Sequence, residues 1–331
     1  MNTLPRHDDA WYRQRLTLPR GRPSVVIDTD AANEIDDQFA LAWALLSPQQ
    51  IDLRAIYAAP FSFAHRRAVL PGAAPDAAPF NPPAVGMERS YQEILALHDL
   101  LGLPVTHAVC RGSAGYLPGA GQPLPSAAAD HLIATARAMP DDQPLYVVAL
   151  GCVTNIASAL LLAPDIVDRI VVVWTSGYPS HAPHVNDSFN LEQDLAASQW
   201  LLDSGVPHVY LPGFHVGAQL RLSLAEMDRH VLGRGAIGNY LHHLFTHNPL
   251  WPILGRSASA AHSWVIWDVI NIAWLLEPAW VPSELVRTPV LDAERRWRQQ
   301  PGRHLMREAS GVDRDAIFGD FFAKLDRASG R

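Results

Sequence analysis

Cysteine is almost absent from this 331-residue chain: only Cys110 and Cys152 occur, far apart and without ligand-like neighbours. That argues against a disulfide scaffold and against a zinc site built from cysteines. Charge is sparse as well, at 18% of residues, and 26 Lys plus Arg against 33 Asp plus Glu leave a formal −7. So mildly acidic a chain is a poor partner for nucleic acid or an anionic membrane. No apolar run can span a bilayer, because the best stretch, Trp264 to Leu276, is short and interrupted by Asp268 and Asn271. Met1 to Arg20 is polar and has no apolar h-region, so no signal peptide is expected and a cytoplasmic enzyme is the default. Also missing are a Gly-rich dinucleotide loop after a strand, a P-loop, an H-E-x-x-H helix and a G-x-S-x-G elbow.

What is present reads as alternating strands and helices. Hydrophobic residues make up 48% of the chain, enough for a substantial core. Ser24 to Ile27 predicts a short buried strand that runs into acidic residues. Phe39, Ala40, Trp43 and Leu46 then recur at helical spacing until Pro48 stops the helix. Leu145 to Leu150 predicts a second strand, followed by Gly151 and a helix over Thr154 to Leu162. Ile170 to Trp174 and Val206 to Leu211 predict further strands, with a helix from about Leu191 to Asp203 that ends at Gly205. Ser223 and Glu226 have the spacing of a capping box. The pattern implies an α/β, Rossmann-like fold, a mostly parallel sheet with helices on both faces. Ligands of such sheets sit beyond the carboxyl ends of the strands, so the loops after Ile27, Leu150 and Trp174 are where a site belongs. Residues 23–331 read as one catalytic domain and residues 1–22 as an N-terminal extension. Pro71 to Gly86, rich in Pro and Ala, is expected to be a long surface loop that could act as a flap. The stretch 234–262 carries Trp, Phe and several His without a firm period.

The loop after the first strand reads Asp28-Thr29-Asp30-Ala31-Ala32-Asn33-Glu34-Ile35-Asp36-Asp37. Five acids in ten residues repel one another unless something positive sits among them, and a hard divalent cation with oxygen ligands is the simplest answer. A solvated turn that caps the next helix through Asp36 and Asp37 is the blander alternative. It fits less well between a buried strand and an apolar helix. From this motif alone the strongest rival is a phosphohydrolase with an aspartate nucleophile. Such an enzyme expects a lysine and a second acidic pair late in the chain, where only Asp268 fits.

The acidic loop together with Val148-Ala149-Leu150-Gly151-Cys152-Val153-Thr154-Asn155-Ile156-Ala157, with Phe189-Asn190 and Trp267-Asp268 in that order, resembles the inosine–uridine-preferring nucleoside hydrolase family. These landmarks run from about Val25 to Leu276. The resemblance implies the nucleoside hydrolase fold, a bound calcium and a homodimer or homotetramer. It also implies hydrolysis of the N-glycosidic bond of a small nucleoside-like substrate. Asp30 would be metal ligand and general base, Asp37 the principal metal ligand, and Asp36 a partner of a ribose hydroxyl. Asp28 would be a supporting ligand or would orient Asp30. The carbonyl of Leu150 and the carboxylate of Asp268 would complete the metal set, and Asn190 would reach the ribose 5′ end. Calcium lowers the pKa of its water only modestly, so a carboxylate base beside it is still needed.

Departures from the family pattern mark this chain. The acidic loop is two residues longer and lacks the usual Pro-Gly, which offers Glu34 as a further ligand. Where the family places an asparagine on the ribose, the chain reads Ala58-Ala59-Pro60-Phe61-Ser62. Ser188 stands where a glutamate is common, with Asn186 a candidate to compensate in substrate binding. Trp267 occupies the place of a histidine that protonates the leaving base in many members. An indole does not ionise at neutral pH but stacks well on heterocycles, so purine substrates are expected to be preferred. His181, His184 and His262 are candidate proton donors, and Tyr116, Tyr178 and Trp264 candidate substrate contacts. Arg89 beside the Pro-rich stretch reads as a solvated helix start. Two further readings remain: a non-catalytic binding protein for ribosyl compounds, against which the intact Asp30 argues, and hydrolysis of another ribosyl compound.

Overall fold

The computed structural model describes residues 7–70, 80–256 and 262–330. Its centre is a sheet of eight strands: β1 (Ser24–Thr29), β2 (Asp52–Ala58), β3 (Ala108–Arg111), β4 (Leu145–Ala149), β5 (Ile170–Ser176), β6 (His208–Pro212), β9 (Ser283–Arg287) and β12 (Leu305–Ala309). The order across the sheet is β3-β2-β1-β4-β5-β6-β12-β9, parallel throughout except for the β12–β9 pair. Strand order reverses between β1 and β4, and the crevice beyond the carboxyl ends of those two strands is the usual ligand position in open α/β sheets. Two short antiparallel ribbons, β7 (Arg221–Ser223) with β8 (Ser263–Val265) and β10 (Val290–Leu291) with β11 (Trp297–Arg298), lie outside it.

Side chains alternate along each strand, so the sheet carries one core on each face. Val25, Ile27, Val148, Val171 and Val173 point to the face covered by α2 (Asp36–Leu45), α3 (Pro83–Leu101), α9 (Gly235–Thr246), α10 (Val269–Leu276) and α11 (Arg314–Ala328). Val26, Val147, Ala149 and Val172 point to the face covered by α4 (Ala127–Ala138), α5 (Thr154–Leu162) and α7 (Leu195–Asp203). The α/β architecture expected from the sequence is the one observed. The capping box also forms, Ser223 and Glu226 closing the first turn of α8 (Leu224–His230). Among the described residues no helix is long and apolar enough to cross a membrane.

Three expectations change. The helix expected over 191–203 is two pieces, α6 (Phe189–Glu192) and α7, because Asp194 is extended at φ −135° and turns its carboxylate onto the Ala197 amide as an N-cap. Pro83 opens α3 inside the expected loop, while residues 71–79 lie outside the described set. The irregular 234–262 stretch contains α9, whose Ile237, Leu241 and Phe245 recur every four residues and are buried. Within the N-terminal extension, Tyr12 of α1 (Asp9–Arg15) and its C-cap Leu16 pack into the main core, and the Tyr12 hydroxyl donates to the Gly205 carbonyl at 2.7 Å.

Asp194 does more than cap α7. Its other oxygen accepts from the Leu117 amide at 3.0 Å and the Thr154 hydroxyl at 2.5 Å, which ties the loop after β3 to two helices. Asp194→Ala leaves the buried Leu117 and Ala197 amides without partners, at about 1–3 kcal/mol each. Urea denaturation is expected to show a clearly lower midpoint for this variant, and a smaller drop for Asp194→Asn, which keeps an acceptor.

Candidate functional site

Beyond the carboxyl ends of β1 and β4 lies an open cavity of about 200 Å³. β1 ends at Thr29, and Asp30 turns back through an Asn33 amide to Asp30 carbonyl hydrogen bond of 2.7 Å. The inserted loop then delivers Glu34 to the cavity before Asp36 and Asp37 start α2. Their place in the first turn sets both carboxylates against the positive end of the helix. The Thr29 hydroxyl donates to Asp37, and the Asn33 side-chain amide donates to Asp30 at 3.1 Å. Asp268, just before α10, enters from the far side. One oxygen each of Asp36, Asp37 and Asp268 lies within 4.8 Å of the others.

Burial and mutual repulsion dominate the electrostatics. Burial pushes the Asp28 carboxyl up to about 7, with the neighbouring Asp30 adding to it and the Asn155 amide opposing it. Burial raises Asp30 to about 6 against donors from its own loop, Gln193 and Asn33. Glu34 is raised to about 7, by burial and then by Asp37 and Asp30, although the Trp264 indole N–H donates to it at 2.7 Å. Asp36, Asp37 and Asp268 are pushed well above the ordinary carboxylate range, by burial first and then by neighbouring carboxylates: Glu34 and Asp30 for Asp36, Asp30 and Asp36 for Asp37, Asp36 and Asp37 for Asp268. Six clustered carboxyl groups, with Arg66 the only cation on the cavity wall among the described residues, form a set that a divalent ion would complete. Two buried oxygens, Oδ2 of Asp28 and Oδ1 of Asn33, also lack any partner.

The structure brings most of the expected site together. Asp30, Asp36, Asp37, Leu150, Asn190, Trp267 and Asp268 all line the cavity. Asp28 does not. It stands behind, accepting from the Asn155 amide at 2.8 Å, while the Ser113 amide donates to the other end of Asn155 at 2.8 Å. Asn186 is also absent from the wall: fully buried, it accepts from the Tyr178 amide at 2.8 Å and donates to the Arg295 carbonyl at 3.0 Å, and so shapes the loop instead. Asn190 donates to the Leu150 carbonyl at 2.6 Å, the same oxygen expected to face a metal. A carbonyl has two lone pairs, so one remains for an ion.

The tryptophans part company. Trp264, in β8, belongs to the core and fixes Glu34, whereas Trp267 is half-buried with Phe214 edge-on at 6.0 Å. No histidine lines the cavity among the described residues. His181, His184 and His262 are exposed, and Tyr116 and Tyr178 are not on the wall. Arg89 donates to the Ala32 carbonyl at 3.2 Å, so it braces the acidic loop. Sequence reasoning missed Asn33, Asn155, Arg66 and Phe214 as site residues. Asn33 and Asn155 lie inside the quoted motifs, where a buried polar side chain was the available signal. Arg66 and Phe214 carried none.

With this geometry in place, comparison with known proteins is informative. The model of the family described as inosine-uridine preferring nucleoside hydrolase matches residues 25–318. The chain is 31% identical over 146 residues to the non-specific ribonucleoside hydrolase RihC of Shigella flexneri, covering 41% of this chain and 42% of that protein. It thus spans less than half the length of that relative. The purine-preferring ribonucleoside hydrolase of Gardnerella vaginalis shares the fold at TM-score 0.67 and 22% identity, over 92% of this chain and 99% of that one. So does the type III effector XopQ, solved with adenosine diphosphate ribose, at TM-score 0.65 and 14% identity over 97% and 98%.

The raised carboxyl pKa values make stability depend on pH in an unusual direction. Between the unfolded value of about 4 and the folded values of about 6 to 7 for Asp28, Asp30 and Glu34, the folded chain binds more protons than the unfolded one. Stability from these groups is therefore present at low pH and lost as pH rises through that window. Melting curves in chelator are expected to shift down from pH 4 to pH 7 on this account. Added calcium should reverse the loss near neutrality, where the acids are free to ionise around it.

Proposed function

The chain belongs to the inosine-uridine preferring nucleoside hydrolase family, and from that premise we propose that it hydrolyses the N-glycosidic bond of a ribonucleoside with bound calcium. The observation that carries this reading is one cavity holding a buried Asp30, the Asp36–Asp37–Asp268 carboxylates and the half-buried ring of Trp267. When bound, calcium supplies the positive charge that keeps these acids ionised and gives sugar hydroxyls and a water a fixed point. Asp30, Asp37, Asp268 and the Leu150 carbonyl would hold it, with Asp28 positioned behind Asp30 instead of at the ion.

Asp36, whose carboxylate stands beside those of Asp37 and Asp268, takes a ribose hydroxyl, while Asn190, which donates to the Leu150 carbonyl, reaches the sugar near its 5′ end. Asp30 accepts the proton of the attacking water as its oxygen bonds to the anomeric carbon. The carbon–nitrogen bond breaks with its electron pair leaving on the base, through an oxocarbenium-like sugar. With no histidine on the wall among the described residues, the base takes its proton from solvent. Trp267 holds the departing ring by stacking, its edge supported by Phe214.

A second reading, cleavage or binding of another ribosyl compound, is favoured by the shared fold with a protein solved with adenosine diphosphate ribose. The two separate in one assay: purine and pyrimidine nucleosides and adenosine diphosphate ribose, each with and without calcium. Release of reducing sugar from nucleosides that requires calcium supports the first reading; activity on the diphosphate alone supports the second.

Asp30→Asn should keep the fold and much of the calcium affinity while turnover falls about 10²–10⁴-fold. Asp37→Ala should instead lose calcium, measured by titration calorimetry, and recover partly at high calcium. Equal losses of calcium from both would refute this division of labour.

Trp267 governs substrate preference. Purines offer N7 to solvent protons and a wide face to the indole, with stacking worth roughly 1–3 kcal/mol. Inosine is expected to be cleaved faster than uridine, and Trp267→Ala should lower kcat/KM for inosine with calcium affinity and melting temperature unchanged. Faster uridine cleavage by the parent enzyme would overturn the preference.

A further inference from the structure

Part of the cavity wall is built not by acids but by the end of β5 and by α6, and it carries hydroxyls, an amide and a guanidinium. Ser176, which ends β5, and Ser188, which precedes α6, both line the cavity, their hydroxyl oxygens 3.3 Å apart. Asn190 follows in α6. Arg66, from the short helical turn Ala64–Val69, reaches the same stretch, its guanidinium carbon 5.3 Å from the centre of the Phe189 ring. Among the lining residues between 175 and 190, Asp187 is the only acid, and it is exposed.

Arg66 is held in place before any ligand arrives. Its Nε donates to Glu192 and its Nη2 to the Asp187 carbonyl, the oxygen of the peptide that leads into Ser188. Phe63 stacks on the far partner of the guanidinium, the Phe189 ring, at 4.2 Å. Glu192 does not belong to Arg66 alone, because His65 lies 2.8 Å from one of its oxygens and Arg295 bonds to the other. A guanidinium has five N–H donors, and the two bonds above leave Nη1 with no partner among the described residues. A charged fork fixed in this way loses little freedom when it takes up an anion.

A free 5′ hydroxyl needs one hydrogen-bond partner, and Asn190 supplies it. A guanidinium beside two hydroxyls and an amide is a larger set, suited to a group with several anionic oxygens. Ser188 also puts a neutral hydroxyl where a glutamate is common, and a carboxylate there would repel an anion. We propose that Arg66, with Ser188 and Ser176, receives a phosphate on the ribose 5′ oxygen, so that the substrates are ribonucleoside 5′-monophosphates. The inference rests on the reading of the site as one that cleaves an N-glycosidic bond. The oxygen of water bonds to the anomeric carbon and the carbon–nitrogen bond breaks toward the base. The phosphate ester stays intact, so the products are the free base and ribose 5-phosphate.

The test measures base release by the full chain with calcium from inosine, inosine 5′-monophosphate and adenosine diphosphate ribose, for the parent, Arg66→Gln, Arg66→Lys and Ser188→Glu. The readout is the ratio of kcat/KM for the monophosphate to that for inosine, which a partly misfolded variant leaves unaltered because both substrates meet the same protein. The parent ratio is expected to exceed about 10, the worth of a charge-assisted contact to phosphate. Arg66→Gln should lower the ratio about 10–100-fold, chiefly through KM for the monophosphate, as loss of uniform binding does. Arg66→Lys, which keeps the charge without the fork, should fall between, and Ser188→Glu should bring the ratio below one. Ribose 5-phosphate should inhibit inosine cleavage by the parent more strongly than ribose does, and lose that advantage in Arg66→Gln. A parent ratio of one or less, or a ratio unchanged in Arg66→Gln, overturns the inference while calcium-dependent cleavage of inosine leaves the functional reading standing. Faster cleavage of adenosine diphosphate ribose than of the monophosphate also overturns it, by assigning the contact to a diphosphate. No base release from either inosine or its monophosphate overturns the functional reading itself.

Discussion

Keeping several carboxylates together out of water is the constraint on which this structure depends. Burial and mutual repulsion both favour the protonated forms of Asp28, Asp30, Asp36, Asp37 and Asp268. A protein that pays this penalty must gain something by it, and a tightly held cation is the simplest gain. The elements around the cavity serve to hold the acids despite their repulsion. The first turn of α2 presents backbone N–H groups to Asp36 and Asp37, Thr29 donates to Asp37, and Asn155 crosses from α5 to reach Asp28.

Two close approaches permit that arrangement. At Gly151, immediately after β4, only a hydrogen fits beside the Asp30 carboxylate. At Gly112, beyond β3, a side chain would collide with the Ala58 carbonyl and the Asn155 amide that braces Asp28. Gly151 follows β4, beside the point where the sheet order reverses, and Gly112 follows the edge strand β3, so both lie at carboxyl ends of strands. The same topology that opens the crevice therefore also brings three strand ends close enough to crowd it.

Glu34 and Trp267 add to the wall beside Asp30, Asp36, Asp37 and Asp268. The longer acidic loop pushes Glu34 into the cavity, and Trp264 is there to receive one of its oxygens. The insertion and the second tryptophan thus form one unit across 230 residues of sequence. Trp267, three residues on, is left free for the cavity because Asp268 and α10 follow it at once. Arg66, bonded to Glu192 and to the Asp187 carbonyl and set 5.3 Å over the Phe189 ring, closes the rim and is the one positive group among the lining residues.

Much of this was legible in the sequence because it follows from local pattern. The Val-Val-Ile run before an acidic loop, the apolar period of α2 and the Leu150-Gly151 break after β4 each dictate an element and place it. Alternation of such elements leaves few choices but a parallel sheet covered on both faces. The acids of the first loop and Asp268 were identifiable as a set through residue type, order and position at strand ends. What tertiary structure alone decided is which polar side chain meets which. Asp28, read as a supporting ligand or as orienting Asp30, accepts from Asn155, and Asn186, read as a candidate substrate contact, bonds to two backbone groups. Gln193, with no local signal, meets the Tyr116 hydroxyl at the point where Asp194 breaks a helix that the sequence period would have run through. Local pattern is set by interactions within a few residues of the chain. Hydrogen bonds such as Tyr116 to Gln193 or Trp264 to Glu34 join residues 77 and 230 positions apart, and only the packed sheet brings them within reach.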